Sequence, residues 1–257
     1  YRKAIARDIL RLNVALGEMY SINMGGTAVG TALNANPEYV NSLAPTIAEI
    51  SGLPVVKAED LVDGTQNLDS FAYVSSALKT CAISCSKMAN DFRLMSSGPR
   101  CGFEEINLPA MQNGSSIMPG KVNPTQCEQA TMVAVQVMGN DVAVGMAASQ
   151  GNFELNVFMP VCAYNFLQSA RLLAESIMSF NNNCAVGIKA NKEKMHHNLH
   201  NSLMLVTALN PYIGYENAAK TAKKAFKDNI SLKEACVELG FLTAEKFDEV
   251  FHPEQMV

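Results

Sequence analysis

Charged residues are scarce in this sequence, and their scarcity is the first clue to how the chain is used. Lys, Arg, Asp and Glu make up only 17% of its 257 residues, whereas hydrophobic residues make up 48%. Globular proteins usually carry about 25% charged residues, so the composition predicts that much of the surface is buried against other subunits. The sequence also lacks an uncharged apolar run of about 18 residues, so we expect no membrane-spanning segment.

Basic clusters and cysteine frameworks are missing as well. The net charge is −4, and no patch of lysine and arginine is interleaved with aromatic residues, which argues against a nucleic-acid partner. The seven cysteines are scattered, and their odd number indicates reduced thiols in a reducing compartment. We therefore expect a cytoplasmic protein, with the mitochondrial matrix as the alternative in a eukaryote. No histidine–carboxylate cluster has the spacing of metal ligands, so no metal is expected.

The stretch Gly25–Thr31 is rich in glycine and looks at first like a phosphate-binding loop. It has neither the lysine of a nucleotide-binding P-loop nor the strand–turn–helix spacing of a dinucleotide site. We therefore interpret its small residues as a place where backbone segments approach each other closely.

The most informative segment is Gly114–Pro124, which reads GSSIMPGKVNP. Its glycines permit backbone conformations closed to other residues. Ser115 and Ser116 supply hydroxyl groups that can act as nucleophile or base, and Lys121 and Asn123 supply a cation and an amide that can hold a carboxylate. The final proline suits the first turn of a helix. This combination predicts a site for a small anion where a helix begins.

Hydrophobic periodicity predicts an almost wholly helical chain. Apolar residues alternate at three and four positions over 67–95, and two further long apolar segments follow at 125–148 and 157–180. The segment 125–148 is apolar nearly all round, which is typical of a helix buried on several sides. We predict an all-α fold, in which an elongated helical bundle contributes to a multi-subunit core.

The tail has a different character, since its helical segments are shorter and more charged. Ser231 with Glu234 forms a capping-box pattern, and Thr243 is a good N-cap. We predict two domains, a central bundle at 1–186 and a small C-terminal helical domain at 187–257. The predicted helical segments of the tail are 190–202, 215–228, 231–239 and 243–251.

The loop resembles the signature of the aspartase/fumarase superfamily, Gly-Ser-x-x-Met-x-x-Lys-x-Asn, and every fixed position is present at 114–123. The segments 125–128, 151–158 and 201–211 are similar to class II fumarases. By contrast, the segment 60–67 is closer to the pattern of aspartate ammonia-lyases. The segments beside the loop are nearer the chemistry, so they favour the hydration of fumarate over the deamination of aspartate.

The resemblance implies a role for each residue of the site. Ser115 would be the base that takes a proton from the carbon next to a carboxylate, and Ser116, Lys121 and Asn123 would bind the dicarboxylate substrate. Glu128 would partner an acid histidine from another subunit. The resemblance implies a homotetramer with active sites shared between subunits, and no cofactor.

Two features leave alternatives open. The chain begins at Tyr1 without an initiator methionine, and the family's first half, which supplies the acid histidine, has no counterpart here. We therefore expect the C-terminal portion of a longer protein, either catalytic or a non-catalytic assembly scaffold. The remaining histidines, His196, His197, His200 and His252, are interpreted as solvated surface residues.

Overall fold

The computed structural model describes residues 1–256, and its helical content confirms the all-α prediction. The strands described among these residues form two pairs, and each strand has only two residues. Ser21–Ile22 (β1) pairs in parallel with Val56–Lys57 (β2), and Ile106–Asn107 (β3) pairs antiparallel with Lys189–Ala190 (β4). The helices are α1 Arg2–Leu16, α2 Pro37–Ser51, α3 Asp63–Gln66, α4 Asp69–Met95, α5 Thr125–Ala148, α6 Met159–Asn183, α7 Lys192–His200, α8 Asn210–Ile213, α9 Tyr215–Asp228, α10 Leu232–Glu238 and α11 Ala244–Val250. Short 3-10 helices cover Gly17–Tyr20, Ala185–Gly187, Leu203–Leu209 and Pro253–Met256.

The three long helices predicted from periodicity are confirmed as α4, α5 and α6, with ends that differ from the predicted ones by at most three residues. The seam of α4 buries Val74, Cys81 and Cys85, which follow the predicted spacing. Cys81 and Cys85 pack against α5 and α6 in a core that includes Val137 and Leu173. The packing of α4 therefore holds α5, the helix that follows the candidate loop, in place.

Within this single chain α5 is buried on one side, and the predicted burial of further sides in a core shared by several subunits stays a prediction. One stripe of α5 is buried, including Cys127, Ala134 and Val144, and it packs on α4 and α6. The opposite stripe is apolar yet exposed. By length and hydropathy alone α5 would also qualify as a membrane-spanning helix, which is weak evidence because core helices of soluble proteins pass the same test. The exposed stripe consists of Met132, Val135, Val142 and Met146.

The chain divides into two compact units. The first contains residues 1–94 and 108–188, and the second contains residues 95–107 and 189–256. The domain division drawn from the sequence, 1–186 and 187–257, differs from these units because residues 95–107 join the second one through the pairing of β3 with β4. The second unit has its own core, in which Leu209, Cys236 and Phe247 are almost fully buried.

Helix ends in the second unit follow the capping signals of the sequence. Ser231 accepts a hydrogen bond from the backbone N–H of Glu234, and the Glu234 carboxylate accepts one from the backbone N–H of Ser231. The backbone N–H and the hydroxyl group of Ser231 both donate to the Glu234 carboxylate, and they lower its pKa because they favour its charged form. Thr243 caps α11 through the N–H of Lys246. Both predicted caps are confirmed.

Candidate active site

The candidate loop is closed by hydrogen bonds between its two arms. Asn113 and Val122 form an isolated antiparallel bridge, and the N–H of Gly114 donates to the carbonyl oxygen of Lys121 at 2.6 Å. Gly120 has a φ of +78°, a conformation that disfavours residues with a Cβ atom. The chain therefore turns tightly between the serine pair and the lysine, and it holds them within one loop.

Ser115 is the most constrained hydroxyl group of this loop. Its Oγ accepts hydrogen bonds from the backbone N–H groups of Ile117 and Met118, each at 3.2 Å, and the residue is half-buried. Two N–H groups that donate to one oxygen stabilise negative charge on that oxygen. The structure thus provides the kind of stabilisation that a serine needs before it can act as a base.

Asn123 lies against the start of the same loop. A Cβ atom added to Gly114 would lie only 2.7 Å from Oδ1 of Asn123, so the absence of a side chain at Gly114 makes room for this amide. Asn123 is half-buried, whereas Lys121 and Ser116 are exposed. The loop therefore brings a constrained serine and an amide together and leaves an ammonium group and a second hydroxyl group open to a ligand.

The loop leads directly into the first turn of α5. Pro124 stands at the N-cap, one residue before the helix begins at Thr125, and its carbonyl oxygen accepts the N–H groups of Cys127 and Glu128. The positive end of the helix dipole is consequently next to Asn123. An anion at this end of the loop gains from that dipole.

Glu128 lies in the first turn of α5 and is half-buried. Its Oε1 is 3.9 Å from Nη2 of Arg93 on α4, with about a third of the Glu128 side chain exposed. Sequence reasoning missed Arg93, because this arginine lies in another helix and no local motif marks it. The pair fixes a carboxylate beside the candidate loop and leaves it accessible.

The base of α5 is anchored by a pair of buried thiols. Sγ of Cys127 lies 3.9 Å from Sγ of Cys184, and both residues are almost fully buried. The neighbouring Cys184 thiol and burial raise the pKa of Cys127, which fits a packing role for this thiol. A cavity of about 10 Å³ beside Cys184 has room for about one water molecule.

Other segments noted in the sequence prove to be structural. The close approach predicted for Gly25–Thr31 is present, since a Cβ atom on Gly30 would lie 2.3 Å from Cα of Val62. The side chain of Asn156 is buried, and its Nδ2 donates to the carbonyl oxygens of Ala147 and Gln150. Asn156 therefore holds the turn between α5 and α6. No group of three or more His, Cys, Asp or Glu side chains in residues 1–256 could hold a metal ion.

Comparison with family models shows which family the chain belongs to. A family model described as "Lyase" matches residues 1–139, and one described as "Fumarase C C-terminus" matches residues 205–257. The chain belongs to the aspartase/fumarase superfamily of lyases. The chain is 59% identical over 257 residues to a class II fumarate hydratase from Neisseria meningitidis. It is 54% identical over 256 residues to one from Oceanobacillus iheyensis.

Solved structures agree with the family. A class II fumarase from Schistosoma mansoni superposes with a TM-score of 0.92 at 38% identity and covers 98% of this chain. A fumarate lyase:delta crystallin from Brucella melitensis superposes with a TM-score of 0.84 at 38% identity and covers 96%. The chain spans only 56% of the length of each of the two bacterial relatives and of the Schistosoma structure.

Proposed function

We propose that the whole protein to which this chain belongs is a fumarate hydratase, which interconverts (S)-malate and fumarate by reversible anti elimination of water. The observation that carries the proposal is the pair of backbone N–H groups that converge on Ser115 Oγ within a loop matching the superfamily signature. The close similarity to class II fumarate hydratases supports it.

In the proposed reaction, Ser115 takes the proton from the carbon next to a substrate carboxylate. That carbon acid is very weak, so the reaction needs groups that stabilise charge as it moves onto the carboxylate oxygens. We assign this task to Lys121 and Asn123, with Ser116 donating a further hydrogen bond. Their contacts strengthen as the negative charge grows, which is the differential binding that accelerates a reaction. The N-terminus of α5 adds a favourable dipole.

The leaving hydroxide needs a proton, and we propose that Glu128 positions the acid that supplies it. The Glu128 side chain is about one third exposed beside the loop, and its Oε1 lies 3.9 Å from Nη2 of Arg93. A carboxylate in this position favours the protonated form of a neighbouring imidazole. The relatives are nearly twice as long as this chain, and we propose that the acid histidine comes from a part of the protein outside these 257 residues.

We further propose that the protein assembles as a homotetramer in which segments of different subunits share each active site. The exposed apolar stripe on α5 and the low charge content support assembly. The free cysteines fit a reducing compartment, and we propose a cytoplasmic location or, in a eukaryote, the mitochondrial matrix.

The test is a substitution at the proposed base in the complete enzyme. Ser115→Ala should lower malate turnover by about 10²–10⁴-fold, because it removes the group that accepts the proton. Ser116→Ala is the matched control, since it removes a hydroxyl group from the adjacent position. We expect Ser116→Ala mainly to raise KM. Fumarate absorbance reports turnover, and circular dichroism checks the fold; malate turnover in Ser115→Ala equal to that of the unchanged enzyme would refute the assignment.

The aspartate ammonia-lyase alternative depends on the segment 60–67, and the structure accounts for those residues locally. Asp60 Oδ1 accepts the backbone N–H groups of Val62 and Asp63, and Thr65 is buried with its Oγ1 bonded to the carbonyl oxygen of Leu61. These bonds explain the segment without reference to a substrate. Parallel assays of the complete enzyme with malate and with aspartate separate the two activities.

A non-catalytic assembly scaffold is the remaining alternative. Mixing this chain with a separately produced N-terminal half tests it. Recovered hydratase activity would exclude a purely structural role, whereas a correctly assembled but inactive complex would favour the scaffold.

A further inference from the structure

The second unit carries three histidines on one short helix, and the proposed reaction uses none of them. His196, His197 and His200 lie in the C-terminal half of α7, and all three are exposed. His196 and His200 are four positions apart, so they are neighbours on one face of the helix. His197 lies three positions before His200, but its ring contacts Asn201. The structure therefore offers a pair of adjacent imidazoles with a third histidine as an internal reference.

The rings of His196 and His200 are already close together. Their centroids are 3.9 Å apart, and the ring planes meet at 25°. Nδ1 of His200 lies 2.9 Å from the backbone carbonyl oxygen of His196. A carbonyl oxygen can only accept, so Nδ1 of His200 is the donor, and in the neutral imidazole Nε2 has the lone pair that can bind a metal ion. Metal-binding histidines are commonly oriented in this way, with the second ring nitrogen donating to a carbonyl oxygen.

We propose that His196 and His200 form a binding site for a divalent late first-row transition ion, such as Ni²⁺, Cu²⁺ or Zn²⁺. Imidazole is a preferred ligand of these ions. A metal–nitrogen distance of about 2.0–2.1 Å places two ligands of one ion roughly 3 Å apart. The ring centroids are 3.9 Å apart and both side chains are exposed, so we expect small side-chain rotations to bring one nitrogen of each ring to that separation.

The surroundings of the pair define how strong the site can be. Both histidines lie in the last turns of α7, where the negative end of the helix dipole favours a cation. Lys192, four positions before His196, adds a positive charge to the same face and limits the affinity. No cluster of three ligating side chains occurs within residues 1–256, so water completes the coordination. We therefore expect one ion per chain, held by two imidazoles.

His197 provides a matched control on the same helix. Nδ2 of Asn201 donates to the carbonyl oxygen of His197 at 2.8 Å and lies 3.3 Å from Nε2 of the His197 ring. This ring is therefore engaged with Asn201, whereas the rings of His196 and His200 stack on each other. Replacing any of the three histidines by alanine raises helix propensity, so α7 is expected to persist in each variant.

The experiment is isothermal titration of the untagged chain with Ni²⁺ at pH 7.5. We expect one Ni²⁺ ion per chain, and we expect His196→Ala and His200→Ala each to weaken binding by at least about tenfold. His197→Ala should change the affinity by less than about twofold, because it removes no ligand. Far-UV circular dichroism verifies that each variant keeps its helices.

Three results would overturn the site. One is no Ni²⁺ binding at millimolar concentration, and the second is the same loss in His197→Ala as in His200→Ala. The third is binding that survives in the double variant His196→Ala/His200→Ala, which would place the ion elsewhere. Cys101 is the one exposed cysteine, so Cys101→Ser must keep the Ni²⁺ affinity if the imidazole pair holds the ion. None of these outcomes depends on fumarate hydratase activity.

Discussion

At the scale of single residues, the first unit depends on a glycine where two backbone segments nearly touch. Gly30 has a φ of +85°, and a Cβ atom there would lie 2.3 Å from Cα of Val62 and 2.4 Å from the carbonyl oxygen of Leu61. These neighbours are backbone atoms, which cannot rotate away as a side chain can. Gly30 therefore meets two demands at once, a left-handed conformation and a lack of side-chain volume.

Gly30→Ala should therefore destabilise the chain by about 3 kcal/mol or more, since left-handed strain and steric overlap add. Gly52→Ala is the control that separates the two effects, because Gly52 has a φ of +68° but no atom within 4 Å of its added Cβ. That variant should lose only about 1 kcal/mol. Urea unfolding followed by circular dichroism measures both values. Equal losses in the two variants would show that the contact with Val62 contributes nothing.

The same scale explains which site residues the sequence could predict. Ser115, Ser116, Lys121 and Asn123 stand within one loop, so a local motif was enough to find them together. The two N–H groups that reach Ser115 Oγ could not be read from the sequence, because they depend on the conformation of the turn. Arg93 was missed because tertiary packing alone brings it to Glu128.

At the scale of helices, apolar periodicity was a good guide to where α4, α5 and α6 lie but a poor guide to what joins them. The seam between α5 and α6 contains polar pairs. Gln126 accepts from Ser179, and Gln129 accepts from Ser176. Asn140 is buried, and its Nδ2 lies within hydrogen-bond distance of three oxygens of α6. Periodicity treats polar residues as solvent-facing, so it could not predict these contacts.

Asn140→Ala tests whether this polar seam holds α5 in register. The substitution leaves the buried hydroxyl group of Ser169 without its donor, so we expect a loss of about 2–3 kcal/mol in the free energy of unfolding. Gln136→Ala is the control, because exposed Gln136 donates a single hydrogen bond to Asn140 Oδ1. That change should cost about 1 kcal/mol or less. Urea unfolding compares the two variants, and a loss in Asn140→Ala no larger than in Gln136→Ala would contradict the prediction.

At the scale of the whole molecule, composition predicts that surface is buried against other subunits, and α5 presents an exposed apolar stripe that suits this prediction. The apolar stripe of α5 is between 61% and 69% exposed at its four positions. Burying a large apolar side chain contributes about 1.5–3 kcal/mol, so a stripe of this kind on several copies can drive association. The composition could not predict which residues form this surface, because only the packing of α5 on its neighbours decides which stripe stays exposed.

The proposed homotetramer therefore makes a prediction that does not require catalysis. A double variant, Val135→Glu with Val142→Glu, places two charges on the exposed stripe of α5, where burial against another copy would strip them of water. We expect sedimentation velocity to show association of the unchanged chain and a shift of the double variant towards monomer. Phe226→Glu is the matched control, since Phe226 is 79% exposed but belongs to the second unit. Phe226→Glu should leave the sedimentation coefficient unchanged. If Phe226→Glu dissociates the assembly while the double variant stays assembled, the interface does not involve α5. The proposal that subunits share active sites at the N-terminus of α5 would then lose its support.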